Sequence, residues 1–192
     1  LAQQPKMHQQ LRQSMVDFNI DSVAWRENLT DEDIQRLHRY YAANVSMIDQ
    51  KVGQIMDCLD KQGHLDNTIV IFCSDHADAL GEHGHIQKWT MYDCVTRVPL
   101  VFWAPDRVKK QQQCDDLVQL MDIAPTILQF AGIDPPSNWE ALAMNKMLTS
   151  GCWDEQDPNE KLRNHVYAEL GRDHIQSGAE HVIMRRDNRW KY

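Results

Sequence analysis

The 192 residues predict an α/β fold, a sandwich with a mostly parallel or mixed sheet flanked by helices, plus the start of a small antiparallel C-terminal sheet. Three observations carry this. A long apolar stripe recurs in steps of three and four between Ile34 and Leu59. Two short β-branched runs, "IVIFC" (69–73) and "VPLVFWA" (98–104), are separated by a polar stretch. Finally, "HVYAEL" (165–170) and "EHVIMRRDNRWKY" (180–192) alternate with the period of two expected of antiparallel strands.

The elements follow in order. Residues 1–28 are polar and Gln-rich without a strong period, and read as an irregular lead-in. "TDED" then places Thr30 as a hydroxyl cap before Asp33, with acids in the first turn, where the helix dipole favours them. Ile34, Leu37, Tyr41, Val45, Ile48, Val52, Ile55 and Leu59 form the apolar stripe of one long helix, and Gly63 is placed to end it. Tyr40, Tyr41, Met47 and Met56 read as its core-packing side chains. "LDNT" is a turn, and "IVIFC" is short and apolar enough for a strand buried on both faces. After the second strand, Asp122 is placed to cap a helix through "IAPTILQFAG", with Pro125 in the first turn and Gly132 at the end. "DPPSN" is a loop. The domain reading is 1–158 for the α/β core and 159–192 for the start of the small antiparallel subdomain.

The composition, 42% hydrophobic and 25% charged, is that of a globular chain with a real core. A net charge of −8 argues against a nucleic-acid surface, and no apolar stretch is long enough to span a membrane. The five cysteines, Cys58, Cys73, Cys94, Cys114 and Cys152, are scattered without a C-x-x-C pair and read as reduced thiols. "LAQQPKMHQQ" lacks a signal peptide's pattern, and "NRWKY" stops within a strand-like run, so the chain reads as a piece of a longer protein.

The chemistry concentrates in "CSDHADALGEHGHIQK" (73–88), directly after the first apolar run. Ligands of open α/β sheets bind beyond the carboxyl ends of the strands. Asp75 and His76 lie there, as a carboxylate and an imidazole able to share a divalent cation, although an Asp at a strand end also caps turns. Without Cys/His zinc spacing, a hard cation with further oxygen ligands from elsewhere suits the pair better than structural zinc. Lys88 supplies a point charge for an anionic substrate oxygen or leaving group, or else is a solvated surface lysine.

The block "NTIVIFCSDHADALGEHGHIQKWTMYDCVTRVPLVFWAP" closely resembles the sulfatase family of the alkaline-phosphatase-like superfamily. "RYYAANVSMIDQKVGQIMDCLDKQGHLDNT", "DLVQLMDIAPTILQFAGI" and "MRRDNRWKY" are similar to its flanking helices and late strand. The resemblance spans roughly 30–192. It implies that Asp75 and His76 bind a divalent cation, most often Ca2+, and that Lys88 contacts the transferred sulfate as catalytic and substrate-binding residue. Glu82 and His83 fall on loop-ordering positions, and Arg97 on a salt-bridge or near-site position. Ala77 stands where the family has glycine, "HIQKW" replaces the commoner L-W-G-K-G form, and "NWEALAMNKML" departs from the family's pocket-rim element. His85 therefore reads either as a substrate-binding group or as a hydrogen-bonding member of its loop.

The family's nucleophile is a formylglycine made within C-x-P-x-R or S-x-P-x-R, and neither pattern occurs in these residues. The resemblance thus implies the C-terminal part of a sulfuric ester hydrolase, inactive alone, whose N-terminal part carries the nucleophile. The substrate would be a sulfated small molecule or glycan. The missing N-terminal part is itself an expected partner, and the apolar face it would cover is an expected surface for self-association. The alternatives are a phosphodiesterase or phosphonate monoester hydrolase of the same superfamily, or a binding domain that has lost the nucleophile.

Overall fold

A computed structural model describes residues 4, 6–17, 29–151, 162–171 and 181–192. Their helices are α1 (Lys6–Asp17), α2 (Asp31–Lys61), α3 (Asp93–Thr96), α4 (Ile123–Phe130) and α5 (Asn145–Ser150). The strands β1 (Val70–Cys73) and β2 (Leu100–Trp103) pair in one two-stranded sheet, and β3 (Val166–Gly171) and β4 (His181–Arg186) pair in another. The chain divides into one unit of Leu1–Asn67, Cys73–Pro99 and Glu169–Val182, and a second of Thr68–Phe72, Leu100–Ala168 and Ile183–Tyr192. The expected boundary at 158/159 lies outside the described residues.

In the first unit, the lead-in 1–28 is not irregular throughout, since Lys6–Asp17 is helical and buries His8, Leu11 and Met15. These three stand at spacings of three and four on one helix face, so a narrow stripe is enough to seat an otherwise polar, Gln-rich helix. Leu11, Met15 and Ile86 form a core against which Leu29, Leu37 and Trp89 pack. α2 starts as its sequence dictates. The Thr30 hydroxyl accepts from the Asp33 amide at 3.2 Å, and the Asp33 carboxylate accepts from the Thr30 amide at 3.2 Å. Gly63, at φ 69°, takes the left-handed conformation that follows a helix end. The apolar stripe of α2 is covered unevenly. Ile34 and Leu37 are half-buried, whereas Val45, Ile48 and Ile55 further along the same stripe are exposed, as are Tyr40 and Met47. The core-packing reading therefore does not hold for Tyr40 and Met47 in this chain.

In the second unit, β1 is not buried on both faces. Val70 and Ile71 are half-buried, while Phe72 and the adjoining Cys73 are exposed, because β2 is its only strand neighbour among the described residues. α4 follows Asp122 as the sequence indicates, with Pro125 buried in its first turn and Gly132 at φ 75° just beyond its end. The Asp122 side chain, however, makes no capping bond to α4. Its fully buried carboxylate accepts from the Gln119 amide at 2.9 Å, the Leu142 amide at 2.8 Å and the Arg163 guanidinium through Nε at 3.1 Å and through Nη2. A carboxylate with a cation and two amides to bind has no reason to turn back on its own helix. The cysteine reading is also corrected: Cys58 and Cys73 are free thiols, but Cys114 is disulfide-bonded. Wide spacing in sequence does not prevent two residues from meeting in the fold. Cys152 lies outside the described residues. After β4 the chain turns back at Asp187, so that Arg186 and Lys191 form an antiparallel bridge and Arg185 exchanges two backbone bonds with Tyr192.

Candidate active site

β1 ends at Cys73, and the next residues turn sharply. Ser74 Oγ donates to the His76 carbonyl at 2.7 Å, and the His76 amide donates to Asp75 Oδ1 at 2.9 Å. This turn brings the two adjacent side chains to one side, with His76 Nε2 3.5 Å from Asp75 Oδ2. His76 Nδ1 lies 3.2 Å from the Ala77 carbonyl. A carbonyl can only accept, so Nδ1 donates to it and Nε2 is the ring nitrogen that faces the carboxylate. A backbone acceptor fixes metal-ligating histidines in the same way. The Asp75 carboxyl is held below its usual range, first by the His76 amide bond, then by the His76 ring and more weakly by the Lys88 ammonium. Asp75 and Lys88 are both exposed.

The donor set fits part of a divalent-cation site. One ionised carboxylate and one oriented imidazole nitrogen converge, but among the described residues no group of three or more His, Cys, Asp or Glu assembles. A hard cation takes six or more ligands, so the remainder must come from other chain segments or water.

Lys88 ends a tightly wound loop. The Ala79 amide donates to the Gln87 carbonyl at 2.9 Å and the Gly81 amide to the His85 carbonyl at 2.8 Å, so the two limbs run side by side. The His38 ring donates to the Leu80 carbonyl at 2.9 Å, tying the loop to α2. His85 does not join Asp75, His76 and Lys88. It is 1% exposed, meets His8 edge-on at 5.6 Å between ring centroids, and lies 3.3 Å from Gln4 Oε1. Burial, with the nearby His8, Arg12 and His83, lowers its pKa to about 4, so the ring is neutral at physiological pH. His8 and the Tyr92 hydroxyl share a hydrogen bond at 3.0 Å, and His83 stacks on Tyr92 with 4.0 Å between centroids. Sequence reasoning missed Gln4, His8 and Arg12 beneath this loop. The one available signal was the spacing of His8, Leu11 and Met15.

The model of the sulfatase family matches residues 4–133, and that of "N-sulphoglucosamine sulphohydrolase, C-terminal" matches residues 81–191. The N-acetylglucosamine-6-O-sulfatase of Bacteroides thetaiotaomicron is 32% identical over 79% of the chain. A solved structure of BT4656 in complex with its substrate D-glucosamine-2-N,6-O-disulfate superposes on 83% of the chain with a TM-score of 0.74 and 29% identity. The phosphonate monoester hydrolase of Silicibacter pomeroyi superposes on 85% with a TM-score of 0.75 and 26% identity. The chain spans 26% of the length of the first of these proteins, and 31% and 33% of the other two chains. Such a family implies a divalent metal and a formylglycine nucleophile. With both family models covering more than half of its residues, and with neighbours of the alkaline-phosphatase-like fold, the chain belongs to the sulfatase family.

Proposed function

We propose that the chain is the metal- and sulfate-contacting C-terminal part of a sulfuric ester hydrolase acting on a sulfated small molecule or glycan. The observation that carries this is the convergence of Asp75 and His76 at 3.5 Å, with Lys88 close enough to bias the Asp75 carboxyl. Asp75 and His76 hold the cation, for which calcium suits an oxygen-rich, partly hydrated shell. When bound, the cation offsets charge on the sulfate, and a formylglycine outside these residues supplies the nucleophile. Lys88 directs its ammonium at the oxygens of the group being transferred, where negative charge builds as the ester bond breaks. For His85, burial at 1% exposure favours ordering of the loop over contact with substrate. The partner is the nucleophile-bearing N-terminal part, whose strands extend the β1–β2 pair into the larger, mostly parallel or mixed sheet. Among the described residues no helix is long and apolar enough to cross a membrane.

The likeness to phosphonate monoester hydrolases supports a second reading, hydrolysis of a phosphonate monoester at the same site. Parallel assays of the intact protein on 4-nitrophenyl sulfate and 4-nitrophenyl phenylphosphonate, with the metal stripped by EDTA and calcium restored, separate the two. The sulfatase reading requires faster turnover of the sulfate, lost on chelation and recovered with calcium. Preference for the phosphonate would replace it with the second reading.

A further inference from the structure

Lys88 is exposed, yet the residues around it are not free to move. The loop 79–88 winds through Leu80 (φ 45°), Gly81 (φ 96°), His83 (φ 54°), Gly84 (φ 70°) and Gln87 (φ 63°). Glycine accepts this left-handed region readily, but leucine, histidine and glutamine do not, and such conformations persist only where the surroundings fix them. The loop's own ladder, Ala79 to Gln87 and Gly81 to His85, closes the limbs and uses neither of the tip carbonyls of His83 and Gly84. Both are met from the N-terminal segment. Gln4 Nε2 donates to the His83 carbonyl, and Arg12 Nε donates to the Gly84 carbonyl at 3.0 Å. Arg12 is the better-anchored donor, because its neighbour Leu11 and, one turn on, Met15 are buried in the core. That same core takes Ile86 and Trp89, the residues flanking Gln87–Lys88. α1 thus grips the loop at its tip through Arg12 and at its base through Leu11 and Met15. Lys88 projects from the base, with Nζ 5.5 Å from the Trp89 ring centroid.

We propose that Arg12 is a positioning residue for Lys88, acting through the Gly84 carbonyl to hold the loop 79–88 in the one conformation that aims the ammonium at the transferred group. This rests on the sulfatase reading above. A hydrogen bond from a charged donor to a carbonyl is stronger than a neutral one, and its loss lets the strained residues relax toward ordinary backbone angles. Gln87, itself at φ 63°, directly precedes Lys88, so relaxation of the loop turns the Lys88 side chain even with Ile86 and Trp89 still packed, and displacements of about 1 Å at a catalytic group can cost roughly 100-fold in rate.

The test is a double-mutant cycle in the intact enzyme on 4-nitrophenyl sulfate, with Arg12→Ala, Lys88→Ala and the pair, joined by hydrogen–deuterium exchange of the loop. Arg12→Ala should lower kcat by about 10- to 100-fold, with KM changing less than kcat. In the Lys88→Ala background the same change should cost less than about twofold, because the residue it positions is gone. Exchange at the Ala79 and Gly81 amides should rise while β2 stays protected, and Arg12→Lys, which keeps a charged donor, should recover most of the activity. Additive losses in the cycle, an unchanged kcat in Arg12→Ala, or a uniform rise in exchange across the chain would each overturn the proposal. If Arg12→Ala does not fold, Arg12→Gln is read by the same cycle and the same criteria. A wild-type enzyme that turns over no sulfate ester would overturn the sulfatase reading instead, and the exchange measurement would still decide whether Arg12 holds the loop.

Discussion

Lys88 and His85 are three residues apart and meet opposite environments. Lys88 is exposed, so Lys88→Ala removes a charge without opening a cavity, and Ile86 and Trp89 keep the backbone in place. In the intact enzyme its loss should lower kcat for an aryl sulfate by about 100- to 1,000-fold, the scale of one preorganised charge-stabilising donor. Thermal melting of the variant should match wild type, and a lowered melting temperature would mean that Lys88 is structural. His85 is buried and neutral, and its pKa of about 4 lies well below the 6.5 of an exposed imidazole. Above pH 6.5 neither the folded nor the unfolded state holds the extra proton. As pH falls from 6.5 toward 4 the unfolded chain takes up a proton that the folded chain refuses, so stability present at neutral pH is lost across that window. His8, lowered by burial and then by His83, adds a contribution of the same sign. Urea midpoints of the intact protein measured from pH 7.5 to 4.5 should fall with acidification, and His85→Gln should flatten the slope. An unchanged slope would place the acid sensitivity elsewhere.

At the scale of elements, two contacts set how the chain is held. Arg163 bridges 41 residues to reach Asp122, whose carboxylate is fully buried and also ties Gln119 and Leu142. Arg163→Ala leaves that carboxylate without its cation, which should cost about 3–5 kcal/mol by urea denaturation. A loss below about 1 kcal/mol would mean that the amides alone satisfy Asp122. Gly81, at φ 96°, would place a Cβ 3.3 Å from the Ile34 side chain, so Gly81→Ala adds backbone strain to a tight contact between α2 and the loop. The legible parts of this architecture are the local ones. α2 follows from Thr30, Asp33 and a stripe within one segment, and Asp75 and His76 follow from their place after β1. The Asp122–Arg163 pair was hidden because a cap position is visible in sequence and a distant partner is not. α1 was hidden because only His8, Leu11 and Met15 carry its pattern among glutamines. Its bonds, from Arg12 to Gly84 in the loop and from His8 to Tyr92 beyond it, span 72 and 84 residues. Exposure of Phe72 could not be read either, because an apolar run does not say how many strands flank it.

The whole molecule carries apolar surface without a cover. The α2 stripe begins against the loop and the α1 core at Ile34 and Leu37, then continues through Val45, Ile48 and Ile55 into solvent. Val45 and Ile55 are 51% and 59% exposed, where a stripe of this period normally faces a core. Phe72 on β1 and Val101 on β2 are exposed as well. Contiguous apolar patches on a folded surface favour association, because each CH₂ removed from water contributes about 0.8 kcal/mol. The purified 192-residue chain should therefore self-associate, with light-scattering mass rising across a concentration series, and Val45→Lys with Ile55→Glu should return it to monomer without unfolding α2. The same chain lacks C-x-P-x-R and S-x-P-x-R, and among the described residues no group of three or more His, Cys, Asp or Glu assembles to complete the proposed Asp75–His76 cation site. Uncatalysed sulfate ester hydrolysis is too slow for a lysine and two ligands to supply the barrier reduction, so turnover of 4-nitrophenyl sulfate should not exceed blank, with or without calcium. On the proposed function the two outcomes share one cause, with the nucleophile-bearing part also the one that covers α2. Mixing the chain with a separately expressed N-terminal part should thus suppress self-association and restore turnover together. Restored turnover with aggregation unchanged would break that link and show that the nucleophile-bearing part docks somewhere other than α2.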